Sequence, residues 1–424
     1  MEHHPIHKPK ELSKMASMNI ESSTEESENK ISSKKRTISA TMVNIVKAIT
    51  SEEIIHARIA FDSFKGRTMY AKKGEGEWRP FTDQDYVEIR MQLENINITG
   101  LKKDLIRDGV HFVAQENKYD SAIDWIHEIV PAWDGVKRIE NFLHTYFGTE
   151  DSPYAKAISL YIWSALPGRV LSPGIKADMV PIFIGEQGCG KSTGVAAMCP
   201  DSDLFTEINL KTRDDDHARR MRGHLIAEIS ELRGINSRDE QSIKAFITRT
   251  EENWVPKYQE HDVSYKRRTF FIGTTNETTF LSDRTGNRRW LPIEVGKVDV
   301  NSIKKDCYQL WAEARDTFQI RGIQWETAQE LAKERHHQYL IIEPWEEPVK
   351  DWIQRNGPSN INRITTNEAL IDCLEFDAKH ITKGEQMRMA SVFKAIGLIQ
   401  RRDSQSTFWT FKITDDEGDE PLPF

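Results

Sequence analysis

The chain has 424 residues, with 58 Lys and Arg against 66 Asp and Glu, for a net charge of −8. Hydrophobic residues make up 38% and mean hydropathy is −0.60; no run of about 18 uncharged apolar residues exists, which excludes a membrane-spanning helix, and the N-terminal stretch lacks an apolar core, so no secretory leader is expected. The four cysteines (Cys189, Cys199, Cys307, Cys373) are too scattered for a zinc cluster and read as reduced thiols, and the acidic balance confines any nucleic-acid site to a local patch.

Residues 1–40 are rich in Ser, Glu and Lys and lack apolar periodicity, which predicts a disordered tail. The histidines His3, His4 and His7 have no nearby Cys or further His to complete a metal site. Residues 41–170 carry apolar residues at three-to-four spacing, as in Asp85–Leu93 and Tyr154–Leu166, which predicts a mainly helical N-terminal domain.

From 171 to 342 the texture changes. Short apolar runs (MVPIFI, HLIAEI, TFFIGTT, WLPIEV) alternate with polar or helical stretches, the pattern of an α/β domain. Residues 343–414 read as a small α+β domain with helices followed by a β-like end, winged-helix-like in order, and 415–424 as an acidic, solvated tail.

The segment Gly185-Glu186-Gln187-Gly188-Cys189-Gly190-Lys191-Ser192-Thr193 fits GxxxxGK[ST] between a strand-like and a helix-like run. In a phosphate-binding P-loop the glycines let backbone amides cradle phosphate oxygens, a lysine such as Lys191 neutralises the β- and γ-phosphates, and a hydroxyl such as that of Ser192 ligates Mg²⁺. Pro181 inside the preceding strand is a misfit unless it sits at the first paired position.

Such a site also needs carboxylates on a neighbouring strand. His224-Leu-Ile-Ala-Glu228-Ile-Ser-Glu231 supplies two, with Glu228 ending the strand as a metal ligand and the division of roles with Glu231 left open. Asp214-Asp215-Asp216 reads as a solvated loop. Thr269–Asn276 is a strand with a polar tip, placing Asn276 to bond a γ-phosphate or the attacking water. After it, Arg284-Thr-Gly-Asn-Arg288-Arg289 exposes paired arginines suited to an arginine finger acting from a neighbouring subunit.

These motifs, together with Trp133-Asp134-Gly135, Ile243–Arg249, the run Trp254–Arg268 and GTTNETTFLSDRTGNRRWLPIEV, resemble the virulence-associated protein E family of phage and genomic-island ATPases, relatives of superfamily 3 helicases. The resemblance is strong over about 125–295. It implies an ATP- and Mg²⁺-dependent hexameric motor acting on DNA in the bacterial cytoplasm during replication of a prophage or mobile island. Too few residues precede the matching region for the primase domain of many relatives, so no primase activity is expected. In that light Trp254–Arg268 reads as a hairpin reaching into a ring channel, with Lys257, His261 and Lys266 on phosphates and Tyr258 or Tyr265 stacking on bases. The rival reading is a nucleotide-switched DNA-binding initiator that unwinds nothing.

Overall fold

A computed structural model describes residues 37–210, 214–230, 237–254, 261–281, 287–340, 343–356, 363–403 and 406–410. All but the last four residues of the expected tail 1–40, and all of 415–424, lie outside the described residues.

The chain begins with a helix, Met42–Thr50, whose first turn is capped by the Thr41 hydroxyl and whose Ile45, Ala48 and Ile49 face inward at helical spacing. Strands Ala57–Asp62 and Arg67–Lys72 follow as an antiparallel hairpin, edged by Arg79–Pro80 on one side and Lys118–Tyr119 on the other. Asp62 Oδ1 closes the turn by accepting the backbone N–H groups of Phe64 and Lys65 at 3.0 and 3.3 Å, with Gly66 at φ +65°. Helices Asp83–Asn95 and Lys103–Glu116 cover one face, burying Ile59, Tyr70, Leu93 and Val110 in one apolar cluster. The expectation of a mainly helical segment over 41–170 therefore missed a four-stranded sheet. Its strands are short, and Ala57–Asp62 buries residues on both faces, so no clean alternation marks it.

Helix α1 (Pro153–Leu171) has Ser152 as its cap and Pro153 in its first turn. It is apolar nearly all round because it packs against the central sheet on one side and a later helix on another. That places 122–170 in the same apolar core as the sheet, while the N-terminal cluster ends at Ala114.

The core then runs β1 (Val180–Ile184), α2 (Lys191–Ala197), β2 (Phe205–Ile208), α3 (Asp214–Met221), β3 (Ile226–Ser230), α4 (Ser237–Thr248), the hairpin strands β4 (Glu251–Trp254) and β5 (Val263–Lys266), β6 (Phe270–Thr275), β7 (Trp290–Glu294) and α5 (Val300–Arg321). The result is an α/β core on a five-stranded sheet, in the order β7-β1-β6-β3-β2 and parallel throughout. Every residue of β1 is buried, as expected for a strand covered on both faces. Pro181 pairs with Leu291 on β7, and β6 joins β1 only from Ile182 onward, so the missing N–H falls where β6 has not begun.

The described residues of 346–356, 363–403 and 406–410 fold around a separate cluster of Val349, Ile353, Leu370, Phe393 and Trp409. Helices Glu346–Asn356 and Lys383–Ala395 pack with a hairpin of Ile399–Arg402 and Thr407–Thr410. Among the described residues, no helix is long and apolar enough to cross a membrane.

Candidate functional site

The glycine-rich loop 185–190 leaves the carboxyl end of β1 and turns into α2 through Gly190 at φ +98°, a backbone state that side-chain-bearing residues rarely adopt. Open parallel sheets bind ligands at this end of their strands. Lys191 folds back over the loop and is 8% exposed. Its Nζ donates to Gly185 O at 2.7 Å, Glu186 O at 2.9 Å and Asn276 Oδ1 at 2.8 Å, with Cys189 Sγ at 3.7 Å. Asn276 follows directly on β6, and the strand order explains the contact, since β6 lies beside β1.

Next along the sheet, Ser192 Oγ donates to Glu228 Oε1 at 2.6 Å. Thr274 on β6 donates its hydroxyl to the same oxygen. Glu228 does not end its strand, as its sequence context implies: β3 runs on to Ser230 because Ile229 and Ser230 still pair with Gly273 and Thr274. The carboxylate is therefore set below the rim and fully buried, and its Oε2 has no hydrogen-bond partner among the described residues. Burial pushes the Glu228 carboxyl above the usual range, opposed by the hydroxyls of Ser192 and Thr274. Glu231, just past the strand, lies outside the described residues.

The paired arginines are elsewhere. Arg288 and Arg289 occupy a single 3-10 turn, Asn287–Arg289, at the start of β7. Trp290 pairs with Val180 at the start of β1, so both arginines sit at the amino end of the sheet, opposite the loop. Arg288 is exposed, its Nη2 3.6 Å from Asp178 and its Nη1 donating to Gln329 at 3.3 Å. Arg289 is half-buried, its Nε without a hydrogen-bond partner among the described residues, and burial together with the neighbouring Arg288 charge lowers its guanidinium pKa. Arg284 lies outside the described residues.

The expected hairpin is present as β4 and β5, paired from Glu251–Lys266 to Trp254–Val263. His261 and Lys266 are exposed on it, while Lys257 and Tyr258 lie outside the described residues. Tyr265 is not free to stack on a base. It is buried against Trp254, and its hydroxyl donates to Phe64 O at 3.3 Å, because alternation along β5 turns it inward. Thr274 and Arg222 escaped the sequence reading. Thr274 was within reach, being two residues before Asn276 and so on the same strand face. Arg222, over the rings of Trp254 and Tyr265 at 5.4 and 5.0 Å, has no local signal.

Fold and site together define an α/β protein whose polar residues converge at the carboxyl end of a parallel sheet. The chain belongs to the virulence-associated protein E-like family, whose domain model matches residues 126–341. No curated protein matches it. Among solved structures it is similar to an apo structure of the NrS-1 C-terminal region (305–718), at 13% identity and TM-score 0.46, covering 87% of this chain and 99% of that one. A second, A-form apo structure of that region matches at 11% identity and TM-score 0.49 over the same shares.

Proposed function

We propose that the chain is a P-loop ATPase that works on DNA, a helicase-type motor for replication of a prophage or mobile genetic island. The observation that carries the reading is the hydrogen-bonded set at one end of the sheet: Lys191 on Asn276, and Ser192 on Glu228, drawn from the helix after β1 and the adjacent strands β6 and β3.

In this reading the loop 185–193 holds the nucleotide's phosphates. Lys191 gives up its bonds to the Gly185 and Glu186 carbonyls and to Asn276 for β- and γ-phosphate oxygens, and Asn276, so released, orients the γ-phosphate or the attacking water. The Ser192 hydroxyl and the unpartnered Glu228 oxygen fit Mg²⁺, which takes hard oxygen ligands and completes its shell with phosphates and water. When bound there, the ion neutralises charge on the phosphates. Glu231, the residue that follows β3 in the sequence, is assigned to the water. Arg288, with Arg289 as the alternative, completes the site of an adjacent subunit in a hexameric ring, since its own loop is at the far end of the sheet. DNA contacts fall to Lys257, Tyr258, His261 and Lys266, and the helices and hairpin of 346–410 form a winged-helix-like accessory domain.

Lys191→Ala tests the site. ATP turnover is expected to fall about 100-fold or more, with the melting curve unchanged. A folded variant that hydrolyses ATP near the normal rate overturns the assignment. ATP-dependent displacement of a labelled strand from a forked duplex then separates a motor from a switch-type initiator.

A further inference from the structure

Away from the loop, a cleft of about 1570 Å³ opens between the N-terminal unit and the hairpin β4–β5. Small-molecule sites occupy about 300–1,000 Å³, so this space suits a longer ligand. Separate parts of the chain wall it, among them the turn around Gly66, the helices Asp83–Asn95 and Lys103–Glu116, the strand Lys118–Tyr119, the end of α3, and β5.

Its charge is the opposite of the chain's. Lys65, Arg67, Arg107, Lys118, Arg219 and Lys266 all line it, and with Arg222 and Arg268 they set eight Lys and Arg against two carboxylates, in a chain of net charge −8. Of those carboxylates, Asp120 is taken by Arg268, and Asp108 stands 3.5 Å from Arg107. Lys65, Arg67, Lys118 and Lys266 have no ion-pair partner among the described residues. Gathering cations from separate elements into one concave wall is unfavourable without a counter-charge, and a cleft of one sign focuses its field on an anion.

The wall is also held in place. The Arg222 guanidinium is stacked on the Trp254 and Tyr265 rings and packed over Gly66, where an added Cβ would lie 1.6 Å from its Nε. This joint ties the N-terminal turn to the core hairpin. Two half-buried aromatic rings, Phe61 and Tyr86, lie among the cations. Unpaired bases stack on such rings, whereas a duplex hides its base faces.

We infer that this cleft binds a single strand of nucleic acid, its phosphates on Arg67, Lys118 and Lys266 and its bases toward Phe61 and Tyr86. The strand thus runs from the hairpin onto the N-terminal unit. The inference rests on the DNA-directed part of the function proposed above and not on ATP hydrolysis.

The test is the anisotropy of a labelled single strand of about 16 nucleotides, the upper range for one binding fold, titrated with the full chain at several salt concentrations. Arg67→Gln with Lys118→Gln is expected to weaken binding about tenfold or more and to flatten the log–log salt slope by about 1.4, at about 0.7 per lost phosphate contact. Its melting temperature and DNA-free ATP turnover should match the unsubstituted chain. If the double variant keeps normal affinity and slope while Lys266→Gln lowers both, the strand stays on the hairpin and the cleft is not its site. If a duplex binds as tightly as the single strand, the single-strand assignment fails. If the unsubstituted chain binds no DNA at low salt, the DNA-directed reading fails as well.

Discussion

Glu228 is a carboxylate with no exposed surface, one oxygen bonded to two hydroxyls and the other unpartnered. Burial raises its folded-state pKa above the unfolded value, so the folded chain holds that proton more tightly. The stability this contributes is complete below the unfolded pKa and is lost as pH rises through the folded one. Without Mg²⁺ or nucleotide, Glu228→Gln should therefore melt above the unsubstituted chain at neutral pH, and the gap should close as the pH falls toward 4, within the ordinary carboxylate range. Thermal melts across that range check this, and a variant that melts lower at neutral pH refutes it. With ATP and Mg²⁺ present, the same variant should have lost turnover. At this scale much was legible. Lys191, Ser192 and Asn276 follow from short strings in strand and helix context, and in the fold Lys191 bonds Asn276 while Ser192 bonds Glu228. The depth of Glu228 was not, because an apolar run ending in an acid does not reveal how far its ladder continues. That length is set by pairing with β6, forty-odd residues later in the chain.

Among the elements, the run Lys266-Arg267-Arg268 shows how one charge string divides into different tasks. Lys266 faces solvent, whereas Arg267 and Arg268 are buried. Arg267 binds the Glu252 carboxylate, donates to Phe246 O and Ile247 O, and lies over the Phe246 and Phe271 rings. It thereby fastens the hairpin to α4 and β6. Removing one partner of a buried pair leaves an uncompensated charge, so Glu252→Ala is expected to cost about 3–5 kcal/mol. Chemical denaturation gives the value directly, and a loss under about 1 kcal/mol would show that the pair does not anchor the hairpin. The central strands were readable from their apolar runs. The N-terminal sheet was not, since its edge strands Arg79–Pro80 and Lys118–Tyr119 are two residues each and exist only through their neighbours. Nor does composition distinguish an arginine bound for solvent from one bound for the interior.

For the whole molecule, the decisive relation is the parallel register of β7 on β1, which holds Arg288 and Arg289 at the end of the sheet away from Lys191. Five paired residues at about 3.3 Å each separate the two ends. An arginine there serves another subunit's site or none. Glu228→Gln and Arg288→Ala chains should each lack turnover, and mixed assemblies should recover part of it, because some interfaces then join an intact loop to an intact arginine. A mixture with Arg289→Ala tells the two arginines apart. No recovery in either mixture, with co-assembly confirmed by mass, would leave both arginines structural. The same long-range order has a mechanical side. Only Arg267, Arg268 and Thr269 lie between β5 and β6, all three are buried, and Arg268 is bonded to Val170 O at 2.9 Å. The tip at Asn276 and the wall at Lys266 are thus opposite ends of one anchored tie with no slack in it. The two ends are joined by a short, buried and hydrogen-bonded stretch of backbone, with no intervening loop between the polar tip and the basic wall.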